Sequence, residues 1–354
     1  MKGIILHGGH GTRLRPLTHT GPKQLLPIAN KPMSQYCIES IKNTGIVEIA
    51  IIIGGIGANK VKEYYGTGEK FGVKFTYIYQ DQPRGIAHAI QLCKDFVNNE
   101  KFLVFLGDNI IQKNINYIRK SFENSDADAS ILLCEVDDPS RFGIADVKDG
   151  QIIKIMEKPK EPPTNFAVTG IYFLTPKIFE IIKRLKPSWR NELEITDALQ
   201  MLLEEGNKIT YDTITDYWKD TGTPEDILHA NKILIEDMES YNQGLIEEGV
   251  STNGKIMIGK NSTIQKGVKL IGPIIIGENC IIENGAEIGP NISLGNNSKI
   301  SECRIKNSII MENTEIKCNV KIENSIIASN SKIYSSVDPT KKTLLLGEGT
   351  RITL

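Results

Sequence analysis

The sequence contains no run of 18 apolar residues, so no segment of it reads as a membrane-spanning helix. It has almost no net charge, with 42 Lys and Arg against 43 Asp and Glu. That balance argues against nucleic-acid binding through a broad basic surface, although a local basic patch is compatible with it. The six cysteines (Cys37, Cys93, Cys134, Cys280, Cys303 and Cys318) are scattered and form no Cys-x-x-Cys pair. Their spacing argues against a zinc site or a disulfide framework and fits a reducing, cytoplasmic setting. The apolar run at Ile4–Leu6 is too short for a signal peptide. Histidine is scarce: there are five, and none lies beyond His229. What is present is ordinary for a soluble globular chain. Its 354 residues are 40% hydrophobic and 24% charged, enough for one large domain or two of usual size.

The first part alternates short apolar runs with helical patterns. Strands are expected at Lys2–Leu6, Glu48–Ile53, Lys74–Tyr79, Phe102–Leu106 and Ala129–Val136, and helical spacing marks Met33–Asn43 and Ala87–Val97. Val168–Phe173 reads as a further strand, and Arg190–Asp197 as the opening of a helix. This alternation predicts an α/β domain with a mostly parallel sheet, whose ligands sit at the carboxyl ends of the strands. A strong helix start follows at Thr223, with Pro224 at the first helical position and Glu225 and Asp226 at the positive end of the dipole. That helix is expected to run to about Gln243-Gly244 and to lead out of the first domain.

After Gly249 the pattern has a period of six. Ile258, Ile264, Leu270, Ile276, Ile282, Ile288, Leu294 and Ile300 recur without a miss, and small or apolar residues stand two positions before each. Aliphatics two apart share one strand face, and a turn every sixth residue returns each to a common core. This is the signature of a parallel β-helix rather than of short sandwich strands. The spacing slips at Ile305 and Ile310 and resumes at Ile316, Ile322, Ile327 and Ile333. The tail Leu344–Leu354 reads as a final strand or cap. The expected division is therefore 1–245 for the α/β domain and 246–354 for the hexad domain.

The densest chemical signal is Gly8-Gly9-His10-Gly11-Thr12-Arg13-Leu14-Arg15-Pro16, with Lys23 in Pro22-Lys23-Gln24-Leu25-Leu26-Pro27, directly after the first strand. Glycines let backbone N–H groups approach phosphate oxygens; Arg13 adds a planar fork and Lys23 a point charge. An ordinary tight turn with solvated basic residues is the plainer alternative, and Arg13, Arg15 and Lys23 together count against it. The loop matches neither G-x-G-x-x-G nor G-x-x-x-x-G-K-[ST], so dinucleotide-fold and Walker readings lose support. Asp108, after the strand Phe102–Leu106, and Asp220, beside Gly222, are placed as two carboxylates suitable for Mg²⁺. Alone, each reads as a turn or cap residue. Gln80 and Gly85, after another strand, are candidates for contact with a base. Glu157-Lys158 on its own reads as a surface pair.

These residues carry a resemblance. The loop Gly8–Pro16 and Lys23–Pro27, together with Ala29-Asn30-Lys31-Pro32, Leu106-Gly107-Asp108-Asn109 and Glu157-Lys158-Pro159, resembles the sugar nucleotidylyltransferase family. So do Ala167-Val168-Thr169-Gly170, Glu192-Leu193-Glu194-Ile195-Thr196-Asp197 and Trp218-Lys219-Asp220-Thr221-Gly222. The likeness is nearest to the long-form glucose-1-phosphate thymidylyltransferases, whose tail is a left-handed β-helix of hexapeptide repeats. It implies a Rossmann-like, mostly parallel nucleotidyltransferase domain followed by that β-helix. It also implies a Mg²⁺-dependent reaction of dTTP or UTP with a hexose 1-phosphate, glucose 1-phosphate first, in a homo-oligomer. Carried over residue by residue, Gly8, Gly9, Gly11 and Thr12 wrap the nucleotide, with Arg13 and Lys23 on its phosphates, and Gln80 and Gly85 contact the base. Asp108 and Asp220 hold Mg²⁺, and Gly143, Glu157, Lys158 and Val168 position the sugar phosphate.

The chain departs from the family at His7, where Ala or Ser is usual, and at His10, where Ser is usual. The segment Asp81–Gly85 also differs from the short form's base-binding turn. The implied reaction needs no Ser, Cys or His nucleophile, because the sugar phosphate is already an anion. Its catalytic residues are Arg13, Lys23 and Asp108, which position and neutralise charge. Two rival readings are an acyltransferase tail and a non-catalytic scaffold. The first is opposed by the lack of histidine in the hexad domain. The second is opposed by the presence of Arg13, Lys23, Asp108 and Asp220 together.

Overall fold

The computed structural model describes residues 1–8, 11–335 and 349–352. Its contacts divide into two compact units. The first comprises Met1–Gly11, Thr18–Leu25 and Met33–Asp220; the second comprises Thr12–Leu17, Leu26–Pro32 and Thr221–Leu354. No helix among the described residues is long and apolar enough to cross a membrane.

The first unit is built on a nine-stranded mixed sheet. Its strands are β1 (Lys2–Leu6), β2 (Glu48–Ile53), β3 (Lys74–Tyr79), β4 (Phe102–Leu106), β6 (Ala129–Glu135), β7 (Gly143–Lys148), β8 (Gln151–Glu157), β9 (Phe166–Leu174) and β10 (Ile209–Ile214). The order β8-β7-β9-β4-β1-β2-β3 runs across the sheet, while β6 pairs with β9 and β10. β1, β2, β3 and β4 are parallel, and β9 runs antiparallel to β4, β6 and β7. The five expected strands form, and β6 stops one residue short of Val136. Continuous apolar runs such as Ile49–Ile53 are buried throughout, as a sheet covered on both faces requires. One cover includes α1 (Met33–Asn43), α2 (Ala58–Tyr65) and α4 (Asn116–Glu123). The other includes α3 (Ile86–Gln91), α5 (Lys177–Ile182) and α6 (Ile195–Glu204).

The expected helix over Ala87–Val97 is broken. It comprises α3 and a single turn at Lys94–Val97, because the Cys93 N–H between them bonds the i−3 carbonyl of Ile90 (2.9 Å) instead of the i−4 one. The expected helix start at Arg190 moves to Ile195. Residues 188–194 form a turn instead, closed by Asn191 N–H to Ser188 O (2.8 Å) and Ser188 N–H to Glu192 O (2.8 Å). A short antiparallel pair, β5 (Asn109–Ile111) with β11 (Trp218–Asp220), places Asp220 opposite Asn109.

In the second unit, α7 (Pro224–Asp237) starts as expected. The Thr223 hydroxyl accepts from Asp226 N–H, and the Asp226 carboxylate accepts from Thr223 N–H, which completes a capping box. The helix ends at Asp237, short of Gln243, because Met238 turns extended and Tyr241-Asn242 already pair with Met257-Ile258 as the first coil. From there the chain is a left-handed parallel β-helix of three sheets. Ile256, Ile274 and Ile292 are register partners 18 residues apart, so each coil holds three hexads. Ile258, Ile276, Leu294 and Ile310 stack in one inner column, with Ile264, Ile282, Ile300 and Ile316 in another. Leu270, Ile288 and Ile305 form the third. The slips in the hexad spacing are absorbed at the turns, so the columns stay aligned. Isoleucine suits these columns because its stiff branched side chain fits a pleated, buried surface.

One outer face is also covered within the second unit. Met257 and Ile275, which point out of the β-helix, pack with Ile235 of α7 and Ala29. The Asn231 carboxamide oxygen accepts from Ala29 N–H (2.9 Å) and from the Ser293 hydroxyl (2.5 Å). The expected strand or cap over Leu344–Leu354 falls mostly outside the described residues.

Candidate functional site

β1 and β4 lie side by side, and the sequence-predicted residues Gly8 and Asp108 follow their carboxyl ends. After β1 the chain passes through His7 to Gly8, whose carbonyl accepts from the Gln24 carboxamide (2.9 Å). Gly11 adopts a left-handed conformation, and its carbonyl accepts from the Thr18 hydroxyl (2.8 Å). Gly9 and His10 lie outside the described residues. After β4 comes Asp108, and the Lys23 ammonium forms an ion pair with its carboxylate. The Asn109 carboxamide donates to the other Asp108 oxygen (3.0 Å) and accepts from the Trp218 indole (2.7 Å). Burial acts to raise the Asp108 pKa, but the Lys23 charge and the Asn109 hydrogen bond outweigh it and hold the carboxyl below its usual range. His7 is pushed the other way. Burial drives its pKa down to about 3 despite the nearby Asp108 carboxylate, so the imidazole is neutral at physiological pH.

The pairing of β5 with β11 brings Asp220 to the strand beside Asp108. Two carboxylates supply hard oxygen donors, and among the described residues no cluster of three or more His, Cys, Asp or Glu could hold a metal by itself. This donor set fits Mg²⁺, which usually takes one or two protein carboxylates and completes its shell with phosphate oxygens and water.

Gln80 follows β3 and is buried, its backbone N–H bonded to Ile53 O (2.8 Å). Its amide nitrogen lies 2.9 Å from His88 Nδ1. Its carboxamide oxygen lies 3.6 Å from the point where a Cβ on Gly8 would stand, so Gln80 and the first loop glycine are neighbours. Gly85 sits at φ 103°, and a Cβ there would lie 2.4 Å from Leu193 O. Only glycine fits this close approach. Leu193 N–H to Arg84 O (2.8 Å) and Ala87 N–H to Leu193 O (3.0 Å) tie the 188–194 turn to the Gln80–Gly85 segment.

Gly143 and Glu157 are register partners on β7 and β8, and Val168 is buried in β9. Glu157 is not the solvated surface residue its sequence neighbours suggest. Its side chain is 15% exposed and accepts from the Thr196 hydroxyl (2.9 Å) and from the Arg190 guanidinium (3.3 Å). Burial and the nearby Glu194 carboxylate raise its pKa, against the pull of Thr196, Lys158 and Arg190. Lys158 Nζ lies 3.8 Å from Glu157, half-buried on a left-handed residue. Sequence reasoning gave Arg190, Thr196 and Gln24 no role of their own. The acidic spacing Glu192-Leu193-Glu194 around a lone arginine was the available signal for Arg190, which faces Glu157, Glu192 and Glu194.

Gly8, Gly11, Lys23, Gln80, Gly85, Asp108, Gly143, Glu157, Lys158, Val168 and Asp220 all belong to the first unit, whereas Thr12 and Arg13 belong to the second. There the Arg13 guanidinium packs on Gly222, with Nη2 3.2 Å from the point a Cβ would occupy.

Residues 2–237 match the nucleotidyl transferase family model, and residues 270–353 match the GMPPB C-terminal domain model. The low-salt glycan biosynthesis nucleotidyltransferase Agl11 of Haloferax volcanii is 47% identical over 263 residues, covering 74% of each chain. A glucose-1-phosphate thymidylyltransferase of Streptomyces antibioticus is 41% identical over 266 residues, covering 75% of this chain and 74% of the relative. A solved Bacillus anthracis structure, described as a glucose-1-phosphate thymidylyltransferase in complex with sucrose, has a TM-score of 0.64 and 45% identity. It covers 68% of this chain and 98% of that one.

Proposed function

This chain belongs to the nucleotidyl transferase family, and within that family we propose that it makes dTDP-glucose and pyrophosphate from dTTP and glucose 1-phosphate. The observation that carries the reading is the Lys23–Asp108 ion pair at the carboxyl ends of β1 and β4, next to Gly8 and Gly11 and with Asp220 on the neighbouring strand. The 41% identity to a thymidylyltransferase supports the choice of base and sugar.

In this reaction an oxygen of the sugar 1-phosphate attacks the α-phosphorus of the nucleotide. A new P–O bond forms, the bond from the α-phosphorus to the bridging oxygen breaks, and pyrophosphate leaves with that electron pair. The nucleophile is an anion from the start, so no protein base is needed to activate it. Gly8 and Gly11 present backbone to the phosphates, and Lys23 and Arg13 offset the charge that develops on the transferring and leaving groups. Gln80, whose nitrogen is engaged by His88, offers its carboxamide to the pyrimidine edge, beside the tight turn at Gly85. Glu157, fixed by Thr196 and Arg190, accepts sugar hydroxyls, and Lys158 faces the sugar phosphate. Gly143 and Val168 shape the wall beside them. Asp108 and Asp220 are the ligands for Mg²⁺, which supplies Lewis-acid neutralisation of phosphate charge when bound.

A UTP-dependent reaction is the second reading. The name of the 47% identical relative specifies no base, and one methyl group separates the two nucleotides and is worth little in binding. We also assign the β-helix to homo-oligomer assembly, tested by light scattering of the purified chain. Pyrophosphate release from dTTP, UTP, GTP, CTP and ATP, each with several hexose 1-phosphates, decides between these readings. Fastest turnover with dTTP and glucose 1-phosphate is expected. Preference for UTP would select the second reading, and no release with any pair would remove both.

A further inference from the structure

His7 follows β1 at the mouth of the glycine loop, with its side chain 2% exposed. Neither ring nitrogen has a hydrogen-bond partner among the described residues. Gln24 is 1% exposed; its amide nitrogen donates to Gly8 O, and its carboxamide oxygen has no partner among the described residues. Both side chains border the same glycine. From the point where a Cβ on Gly107 would stand, His7 Cδ2 is 3.1 Å away and Gln24 Cγ 3.2 Å. Gly107 is also tied to β1 by its N–H to Leu6 O (2.9 Å), and it immediately precedes Asp108.

A buried polar atom left unsatisfied is unfavourable, and such atoms are commonly satisfied by ordered water. In either tautomer a neutral imidazole offers one N–H donor, and Gln24 offers an acceptor. The surrounding polar chain is otherwise complete, since the Ser34 hydroxyl donates to Gln24 O (3.0 Å) and lies 2.7 Å from the Tyr65 hydroxyl. His7 also meets the Tyr65 ring edge-on, with centroids 6.1 Å apart, which fixes the imidazole plane.

We propose that His7 is a positioning residue, which shares one ordered water with the Gln24 carboxamide oxygen beside Gly107 and thereby holds the Gly8 carbonyl and the Gly107-Asp108 backbone in register. The imidazole touches no substrate. It acts through Gln24, which orients the loop, and through the glycine that leads into Asp108. The effect on turnover rests on the functional reading above; the water site itself does not.

The test combines a double-mutant cycle with a crystal structure that resolves waters. His7→Leu removes the donor while keeping bulk, His7→Gln keeps a donor, and Gln24→Met removes the acceptor together with the bond to Gly8 O. His7→Leu is expected to lower kcat about tenfold, the worth of one buried hydrogen-bonded contact, with KM for both substrates within about threefold, and Gln24→Met to lower kcat by at least as much. His7→Gln should recover most of the loss. The double variant should be no worse than about threefold below Gln24→Met, because that change alone already removes the bridge. A further loss near tenfold from Gln24→Met to the double variant, full turnover in His7→Leu, or equal defects in His7→Leu and His7→Gln would each overturn the proposal. If the wild-type chain releases no pyrophosphate from any substrate pair, the functional reading fails, and the crystal structure decides alone. A water within hydrogen-bond distance of both His7 and Gln24 Oε1 sustains the inference, and its absence ends it.

Discussion

Replacing Lys23 with Met tests the central ion pair through stability and chemistry together. The Lys23 and Asp108 side chains are 12% and 17% exposed. Methionine keeps most of the lysine's length but removes the charge, leaving the buried Asp108 carboxylate without the Lys23 cation. Breaking a buried pair from one side destabilises by about 3–5 kcal/mol, because the remaining charge is uncompensated. The pH dependence follows from the Asp108 pKa. In the intact protein it lies below the ordinary value, chiefly because the Lys23 charge outweighs burial. That depression contributes stability at pH above the unfolded value of about 3.9, and the contribution is lost as pH falls through the folded value. In Lys23→Met burial prevails and the folded pKa rises above the unfolded one, so the carboxyl is favoured only when protonated. The deficit of the variant should therefore be largest near pH 8 and shrink as pH falls towards 5. Urea unfolding at the two pH values measures it. A second change, Asp108→Asn, should restore much of the lost stability at pH 8 without restoring catalysis.

Turnover reads the other half of the reasoning. Losing one electrostatic stabiliser of the transferring phosphoryl group should lower kcat at least about a hundredfold, or about 2.7 kcal/mol of barrier. The same loss is expected for Asp108→Asn. A variant with Met at position 23 that unfolds with the same deficit at pH 5 and pH 8, and turns over near the wild-type rate, would show that the pair neither holds a buried charge nor serves the reaction.

Other substitutions probe separate parts of the fold. Gly85→Ala should raise KM for the nucleotide more than about tenfold in initial-rate assays, since the left-handed backbone and the contact with Leu193 O force about 1–3 kcal/mol of strain onto the turn proposed to contact the base. Thr223→Ala removes the capping box of α7 and should lower stability by about 1–2 kcal/mol in denaturant unfolding. Ile282→Ala empties a position in the β-helix column and should destabilise by about 2–5 kcal/mol. Ile281→Ala next to it, where the side chain is 40% exposed, should change stability by no more than about 0.5 kcal/mol, and equal effects at the two positions would contradict the column assignment.

The features legible in the sequence are those whose cause is local or periodic. The hexad isoleucines predict three stacked columns because strand alternation and a fixed turn interval leave no other common side. The glycine loop suggests an anion site on local grounds too, since backbone approach needs no distant partner, and that reading belongs to the proposed function. The features that were missed depend on chain arriving from elsewhere. Glu157 looks like one half of a surface pair when read with Lys158. Its environment is set by Arg190 and Thr196, 33 and 39 residues later, which bury it and supply its hydrogen bonds. The end of α7 at Asp237 is equally non-local. Nothing in Met238–Gln243 stops a helix, but Tyr241 finds a strand partner in Met257, and pairing overrides propensity. Thr12–Leu17 and Leu26–Pro32 belong to the second unit for the same reason. Ala29 and Asn30 turn a short hairpin whose groups bond to Asn231 and to Leu294 O (2.7 Å), residues more than half the chain away. The motif Ala29-Asn30-Lys31-Pro32, which carries no phosphate chemistry of its own, thus has a physical role. It docks a loop from the start of the chain on α7 and the β-helix, and that role becomes visible only once both are folded.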